Sequence, residues 1–477
     1  MTDASASAVA DRATAPVRAR APRRSPSDLT FQLDEALVER FASAEPDWLA
    51  TDRRDALERY GSVPIEPNQL YTTYLDLRLA DLGDARAYES TASTATTPTG
   101  STAAEAATEG LAGIASFRED KVVAVDLDEK ARAAGVTIDT LAALLSRDSE
   151  TARRLISAAA LPADDRLAQL ARAGWNQGLV IRVPDGVRLD DPIVVRWAAG
   201  VPQRALLTRT LVELGEGARA SLLEEFVPSG LEIDCAEGEP VPQSLFTGTL
   251  EVHLGAGADL SIASIQEFGS GVVAFQHRTA SIGEGASLRW ALGQLGGRLV
   301  RSRVDNRLEG DRSSVEQVEI VFGGEEQLFD LTSYTWHRGR DTTGNLLSKG
   351  ALLDRARSFM KGLITIEKTA IGTDSFLGEF GMNLSKAARA VAIPSLEIDQ
   401  PDCRRAAHSS SVGPIDETQL FYLESRGIPP DDARKFIVLG FLEPVVARVP
   451  VPEAQARLRQ LLEDKWAEGL ASAAAAA

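Results

Sequence analysis

The hydrophobic pattern of the chain changes character near Gly178. Before this residue apolar side chains recur at helical spacing, as Leu33, Leu37 and Phe41 do at i, i+4 and i+8. From Gly178 to about Ile398 the sequence is a series of short apolar strands separated by Gly and Asp turns. Helical spacing then returns toward the C-terminus. The pattern predicts a mainly β core between two helical regions.

Composition refines these boundaries. A stretch rich in Ser, Thr and Ala over residues 88–110 is typical of a flexible insertion, and the first residues have the Ala, Arg, Ser and Pro bias of a disordered tail. We therefore expect a disordered tail over 1–29, a mostly helical N-terminal domain over 30–174 that contains the insertion 88–110, a β core over 175–414, a helical domain over 415–470 and a frayed tail over 471–477.

A turn phrase recurs within the β core. The segment Leu214–Ala218 (LGEGA) reappears as Leu254–Ala258 and Ile282–Ala286, and a degraded copy follows at Leu308–Arg312. The later spacings, 28 and 26 residues, are about one coil of a β-solenoid, and the first spacing of 40 allows an insertion at Pro228–Gln243. The repeats favour a stacked solenoid over a β-sandwich, the competing fold.

The first copy also contains a weak dinucleotide fingerprint. Gly215, Gly217 and Ala220 fit G-x-G-x-x-A, which binds pyrophosphate when it leads from a strand into a helix. Each copy leads instead into strand-like sequence, so a structural turn is the favoured interpretation.

Charge and cysteine content exclude several classes of function. The net charge of −18 argues against a nucleic-acid-binding protein, and no apolar run has the length of a membrane span. The two cysteines, Cys235 and Cys403, fit a reducing cytoplasm and are too few for a standard iron–sulfur site with four thiolates. The sequence contains no P-loop for nucleotide hydrolysis.

The junction between the β core and the C-terminal helices combines scarce residues. After a strand at Leu396–Ile398, a polar loop is predicted to carry Cys403 and His408, the latter one of four histidines. Two helices follow: Asp416 opens the first with a capping-box pattern, and Gly427 ends it.

This junction resembles the SufB/SufD family of scaffold proteins in SUF iron–sulfur cluster assembly. The matching phrases are HSSSVGPIDE from His408, LFYL from Leu420 and SRGI from Ser425. Further support lies upstream in Lys349-Gly350, Ala356–Ser358, Thr373-Asp374, Ile181–Val187 and Glu45–Leu49. The resemblance covers nearly the whole chain from about residue 30.

The resemblance implies a right-handed parallel β-helix core flanked by N-terminal and C-terminal helical domains. Within the family the chain is more similar to SufD than to SufB. Ser409 follows His408 where SufB has Glu, and no Cys lies between Cys235 and Cys403, where SufB carries one near the end of the β-helix. The chain departs from many SufD sequences at Ala406, which stands where they have Cys.

The function implied by the resemblance is that of a non-catalytic, cytoplasmic scaffold subunit. Such a subunit pairs with a SufB-like paralogue through the end of the β-helix and binds the SufC ATPase through its C-terminal helices. It binds neither nucleic acid nor membranes. We expect no stably bound cofactor in the chain alone, and a transient nascent iron–sulfur cluster or iron shared with SufB.

His408 and Cys403 are the candidate residues of that cluster interface. Imidazole is a good ligand for iron, and the matching histidine of the family is implicated in cluster formation; the alternative is a histidine that only hydrogen-bonds its loop. Arg404 and Arg405 favour the thiolate form of Cys403, whereas the alternative is a small half-buried residue at a strand end.

The C-terminal helices are the candidate SufC docking surface. They are dense in Leu, Phe and Tyr, and packing against the β-helix is the alternative use of those side chains. The candidate residues are Asp416, Leu420, Phe421, Tyr422, Arg426, Phe436, Gly440 and Phe441.

Two other functions remain open at this point. One is a SufB-type or homodimeric cluster scaffold. The other is a β-helix carbohydrate-active enzyme, which needs paired carboxylates on the solenoid surface, with Asp330 and Asp354 as candidates.

Overall fold

The computed structural model describes residues 24–66, 75–89, 110–158, 161–230 and 242–475. Its helices are α1 (Glu35–Ser43), α2 (Asp47–Ser62), α3 (Glu129–Ala133), α4 (Leu141–Arg147), α5 (Ser149–Ala158), α6 (Arg166–Gly174), α7 (Glu417–Ser425), α8 (Pro430–Val446) and α9 (Pro452–Ala475). Most of the predicted insertion and Cys235 lie outside the described residues.

The strands fall into an early group and a long repetitive group. The early strands are β1 (Arg86–Ala87), β2 (Gly113–Arg118), β3 (Lys121–Leu127) and β4 (Thr137–Thr140). The repetitive group comprises β5 (Gln177–Val183), β6 (Ile193–Ala199), β7 (Arg204–Leu214), β8 (Arg219–Pro228), β9 (Ser244–Leu254), β10 (Asp259–Gln266), β11 (Val272–Ile282), β12 (Ser287–Gln294), β13 (Leu299–Leu308), β14 (Ser314–Gly323), β15 (Leu328–His337), β16 (Thr343–Leu352), β17 (Arg357–Ile366), β18 (Asp374–Asn383), β19 (Arg389–Ile398) and β20 (Arg405–Pro414).

From β5 onward, successive strands alternate between two parallel sheets. The odd-numbered strands β5 to β19 pair in order in sheet A, and the even-numbered strands β6 to β20 pair in order in sheet B. Each odd strand and the even strand after it form one coil, so the described chain winds through eight coils. The predicted fold is confirmed: a β-helix core with helices at both ends of the chain.

The recurring turn phrase forms one corner of this solenoid. Gly217, Gly257 and Gly285 occupy the left-handed region with φ of 64°, 65° and 62°, and Arg312 of the degraded copy takes the same conformation at 58°. The corners are hydrogen-bonded to one another, as when Gly217 N–H donates to the carbonyl of Ala256 at 2.8 Å. The phrases are structural turns, as predicted, and the first leads into strand β8 rather than into a helix.

The wider spacing between the first two phrases also has its expected cause. Strand β8 pairs directly with β10, so Arg219 lies opposite Asp259 despite the long connection between them. The next coil follows through a shorter connection, since Asp259 lies opposite Ser287. The extra residues of the first connection therefore leave the stacking of the coils unchanged.

The N-terminal part of the chain covers one flank of the solenoid, which we call the covered flank. Helices α1, α2 and α6 pack on the outer face of sheet A, where Leu170 of α6 shares a core with Leu207 and Phe275. Strand β4 pairs antiparallel with β5, and β3 pairs antiparallel with β2 at the far end of sheet B. Sheet B therefore continues beyond the first coil through β2, which is parallel to β6, to antiparallel β3, so this region is not purely helical.

A buried ionic cluster fastens α6 to the sheet. Asp165, the N-cap of α6, lies 2.9 Å from both Arg301 and Arg303 of β13, and Arg303 also contacts Asp305 at 3.1 Å. Asp165 is fully buried, yet the two guanidinium groups and His277 hold its pKa well below the usual range against the opposing effect of burial.

The C-terminal helices α8 and α9 lie on the opposite side, against the outer face of sheet B. Val438 and Leu442 of α8 and Leu458 of α9 share a core with residues of β14 such as Ile320. Helix α9 continues beyond residue 470, the predicted end of the C-terminal helical domain, to Ala475.

Candidate functional site

The last coil of the solenoid has no strand beyond it. Strands β19 and β20 end sheets A and B, and no further strand of the described chain pairs with either. We call this end, formed by residues 389–414, the open end. The side chains of β20 are exposed or only partly buried throughout, and those of β19 are mostly partly buried. Two sheet edges are therefore available here for pairing with another chain.

The free edge of β20 has an uninterrupted row of donors. Arg405 N–H donates to the carbonyl of Thr373, beside β18. Because backbone groups along a strand alternate between its two neighbours, every second residue after Arg405 also faces β18, and the intervening residues direct their N–H and C=O groups to the free edge. The residues facing the free edge are Ala406, His408, Ser410 and Val412.

The free edge of β19 is interrupted. Arg389 N–H donates to the carbonyl of Ala356, so the even-numbered residues of β19 face outward along the sheet. Among these, Ala390 N–H already donates to the side chain of Asn383 at 2.9 Å, and Pro394 has no N–H. The C-terminal end of the strand, near Ile398, retains its backbone N–H donors. Of the two edges, β20 offers the longer continuous template.

His408 lies on strand β20, not in the predicted polar loop. It is paired with Leu377 of β18, a fully buried residue of the lumen. Ala406, two residues earlier, packs in the same lumen cluster, so alternation places the His408 side chain on the inward-facing side. His408 is nevertheless exposed, because no further coil covers it. The structure thus places this imidazole at the mouth of the lumen.

Cys403 occupies the short loop before β20. It is a free, half-buried cysteine that packs against the lumen cluster containing Ile366 and Leu377. The neighbouring arginines have carboxylate partners of their own: Arg404 pairs with Asp341, and Arg405 with Asp374. These contacts favour the packing interpretation of Cys403, and its role as a ligand stays a prediction.

Among the described residues, no group of three or more His, Cys, Asp or Glu side chains is arranged to hold a metal ion. The same part of the chain contains no helix long and apolar enough to span a membrane.

A buried acid lies behind the open end. Glu379 of β18 is 2% exposed and accepts a hydrogen bond from the backbone N–H of Ile393 in β19 at 2.9 Å. Burial, with a smaller contribution from the negative charge of Glu319, raises the pKa of Glu379 to about 8. Sequence reasoning missed this residue because an isolated Glu in a strand carries no signal of burial.

The helix pair α7–α8 presents apolar side chains to solvent next to the open end. No residue of α7 is buried. Phe421, Tyr422 and Phe436 are 71%, 55% and 59% exposed, which is unusual for large aromatic side chains. Arg426 lies over the ring of Tyr422 with its guanidinium carbon 5.1 Å from the centroid. We call the exposed side chains of these helices the aromatic surface.

The other candidate docking residues have different positions. Asp416 caps α7 by accepting from the N–H of Thr418 at 2.8 Å. Leu420 is half-buried and Gly440 is exposed. Phe441 faces sheet B and belongs with the packed core rather than with the aromatic surface.

The two acids considered for a carbohydrate-active enzyme do not form a surface pair. Asp330 has no exposed surface and is bound to Lys361, which is equally buried. Asp354 sits in a solenoid corner, where it accepts the N–H of Glu325 at 2.8 Å. A polysaccharide cannot reach Asp330, so this pair cannot act as acid and base.

The chain is thus a parallel β-solenoid with helices on the outer faces of both sheets, one open end and an exposed helix pair. Residues 197–441 match the family model described as "SUF system FeS cluster assembly, SufBD core domain". This match spans half of the chain, and the chain therefore belongs to the SufB/SufD family of SUF iron–sulfur cluster assembly proteins.

Curated relatives agree with this assignment. The chain is 26% identical over 350 residues to the iron–sulfur cluster assembly protein SufD of Bacillus subtilis, covering 73% of this chain and 78% of the relative. A SufBD family protein of Mycobacterium tuberculosis is 29% identical over 351 residues, covering 70% and 83%. One from Staphylococcus epidermidis is 25% identical over 336 residues, covering 70% of each chain. The expected family, with SufD as the more similar branch, is confirmed.

Proposed function

We propose that this chain is the SufD-type subunit of a SUF assembly complex in the cytoplasm. It pairs with a SufB-like paralogue through the open end, binds the SufC ATPase through the aromatic surface, and contributes His408 to a nascent cluster. The observation that carries the proposal is the position of His408, exposed at the mouth of the lumen on the free edge of β20.

Pairing at the open end follows from the uncovered sheet edges. Exposed edge strands are templates for further strands, and proteins that do not use them usually cover, shorten or charge them. Strand β20 has ten residues and carries the uncharged sequence AAHSSSVG after Arg405. A partner strand on this edge would run alongside His408 and bring the partner's ligands to the imidazole. The iron and sulfide of the cluster are cargo held between the two chains.

Binding of SufC follows from the aromatic surface. Three large aromatic side chains exposed on one helix pair are characteristic of an interface, because aromatic residues dominate binding energies when a partner buries them. Helix α7 contributes no buried residue to the core of the chain. The rings of Phe421 and Tyr422 therefore need a partner to leave water, and hydrolysis of ATP takes place in that partner.

Co-expression of this chain with a SufB-like paralogue and SufC tests the assembly. The tagged chain should recover both a SufB-like paralogue and SufC on affinity purification at moderate salt. Recovery of neither protein contradicts the proposal. Light scattering of the chain alone distinguishes this heteromeric complex from a homodimeric scaffold. A stable homodimer that excludes the paralogue indicates the homodimeric scaffold.

Substitution of His408 tests the cluster site within the assembled complex. His408→Ala should leave the complex intact, because the side chain is exposed, and should lower its bound iron and sulfide several-fold. Ser409→Ala is the matched control, since the neighbouring side chain points to the other face of β20. Equal iron content in wild type and His408→Ala removes His408 from the site.

A further inference from the structure

A lysine without a carboxylate partner lies between α8 and the solenoid. Lys349, on the outer face of β16, donates from Nζ to the main-chain carbonyl of Phe441 at 2.7 Å, and Nζ is 4.5 Å from the centroid of the Phe441 ring. In the part of the chain that the structure describes, no carboxylate lies within ion-pair distance of this ammonium group. Burial, assisted by the positive charge of Arg448, lowers its pKa.

This contact falls where the helix is weakened. Pro444 stands inside α8 and has no N–H to donate to the carbonyl of Gly440. The next carbonyl, that of Phe441, receives the ammonium of Lys349. A charge-assisted hydrogen bond and a cation–π contact thus reinforce the helix one residue from its missing bond.

The attachment of α8 determines where α7 lies. Helix α7 has no buried residue and packs on α8, whereas α8 packs on β14 and β16. The aromatic surface is therefore connected to the solenoid through the face of α8 that contains Phe441. Lys349 supplies a polar contact within this largely apolar joint, and a second one follows at its end, where Arg448 lies 3.9 Å from Glu316 of β14.

The joint is close to the open end. Lys349 is aligned with Phe380 of β18, which is aligned with Ser411 of β20. Two strand spacings separate the lysine from the last strand, or about 10 Å. A movement of α8 against β16 would thus act on the sheet two strands from the edge that carries His408.

We infer that Lys349 is a positioning residue that fixes the aromatic surface relative to the open end of the solenoid. The inference rests on the proposed function insofar as SufC is the partner that uses this surface. An ATPase bound to α7 and α8 can act on the open end only if the joint between these helices and the sheet is stiff. Lys349 provides that stiffness.

Amide hydrogen exchange on the full-length chain tests the joint without any partner. Lys349→Met keeps the aliphatic stem but removes the charge and the donor, and exchange in α8 should become about tenfold faster, as expected for the loss of one charge-assisted hydrogen bond. Lys349→Arg should retain most of the protection. Lys435→Met is the matched control, because Lys435 is on the same helix but pairs with Glu463 of α9 at 3.3 Å.

The same variants separate this inference from the proposed function. With SufC present, Lys349→Met should bind about tenfold more weakly than wild type, while Lys349→Arg stays within about twofold. Unchanged exchange in α8 of Lys349→Met overturns the inference, whatever SufC does. Faster exchange in a chain that never binds SufC upholds the joint and refutes the docking proposal. If Lys349→Met does not fold, Phe441→Leu, which removes the cation–π contact but keeps an apolar side chain in the core and the carbonyl that accepts from Lys349, gives the same measurement with a smaller expected change.

Discussion

The two ends of the solenoid are finished in opposite ways. At the start, sheet B continues into the antiparallel hairpin β2–β3, sheet A ends in antiparallel β4, and helices cover the outer face of sheet A. At the finish, β19 and β20 stop with free edges, and the nearest helix, α7, buries none of its residues. One end is closed by the chain's own residues, whereas the other ends in two free strand edges.

The contrast extends to the way charges are buried. On the covered flank, Asp165 and Asp305 are matched by Arg301 and Arg303, so buried ions of both signs neutralise one another. Behind the open end, Glu379 is buried and accepts a hydrogen bond from a backbone N–H. The covered flank is thus built for stability, whereas the coil before the open end retains a carboxyl group that burial keeps protonated at neutral pH.

The largest expected effect is on the covered flank. Asp165→Ala leaves Arg301 and Arg303 buried without their shared carboxylate, and the free energy of unfolding should fall by about 3–5 kcal/mol. Chemical denaturation measures this change. Asp164→Ala is the control, because that neighbouring carboxylate is largely exposed and should cost less than about 1 kcal/mol. Similar losses in both variants would show that the buried cluster does not hold α6.

The buried Glu379, in the coil next to the open end, should make the chain less stable as the pH rises. The folded state holds the proton of Glu379 up to a pH of about 8, whereas the unfolded state releases it near 4.5. The free energy of unfolding should therefore fall as the pH rises, by about 4 kcal/mol from this group between pH 5 and pH 8.5. Glu379→Gln should remove that part of the slope in denaturation curves at pH 5 and 8.5. An unchanged slope would mean that the carboxyl is ionised in the folded chain.

A substitution on the free edge of β20 should break pairing without unfolding the chain. Ser410→Pro removes an N–H that no residue of β18 uses, and it places a ring in the path of an added strand. Affinity for the SufB-like paralogue should fall between about tenfold and a hundredfold in titration calorimetry, with little change in Tm. Ser410→Ala should behave as wild type. Full affinity in the proline variant would move the interface away from this edge.

The smallest expected effect is on the aromatic surface. Phe421→Ser should lower the affinity for SufC about tenfold, since a buried aromatic anchor typically contributes about 1–2 kcal/mol or more to binding. The Tm of the free chain should not change, because the ring is 71% exposed. Gln419→Ser, on the same helix, is the control and should leave both the affinity for SufC and the Tm unchanged. A fall in Tm would indicate that Phe421 packs within its own chain.

The regular part of the fold was predictable from the sequence, and the reason is local. The corners at Gly217, Gly257 and Gly285 need a left-handed residue, and glycine makes that need visible as a repeat. Later corners place Asp341 and Asp354 in the same conformation, at φ of 54° and 49°. Without glycine these corners leave no repeated phrase, so the count of coils could not be predicted.

Strand β20 was missed for a different physical reason. An inner strand has a neighbouring coil on each side, and the side chains of alternate residues face the closed lumen. The segment from Ala406 to Val412 has no such neighbour on its outer side, and its sequence is correspondingly small and polar. The resemblance identified His408, but the position of this residue on a free sheet edge depended on the structure.

The stacked corners also fix the length of the solenoid in units of one coil. Each coil advances the chain by one strand spacing, about 4.8 Å along the solenoid axis, and the corner phrases are interchangeable in conformation. Loss or duplication of one whole coil, such as the segment from Asp259 to Ala286, would shift the open end by one strand spacing and leave the conformation of the other corners unchanged. The distance between the β2–β3 hairpin at the start of the solenoid and the open end can therefore change only in steps of one coil, without any change in either end.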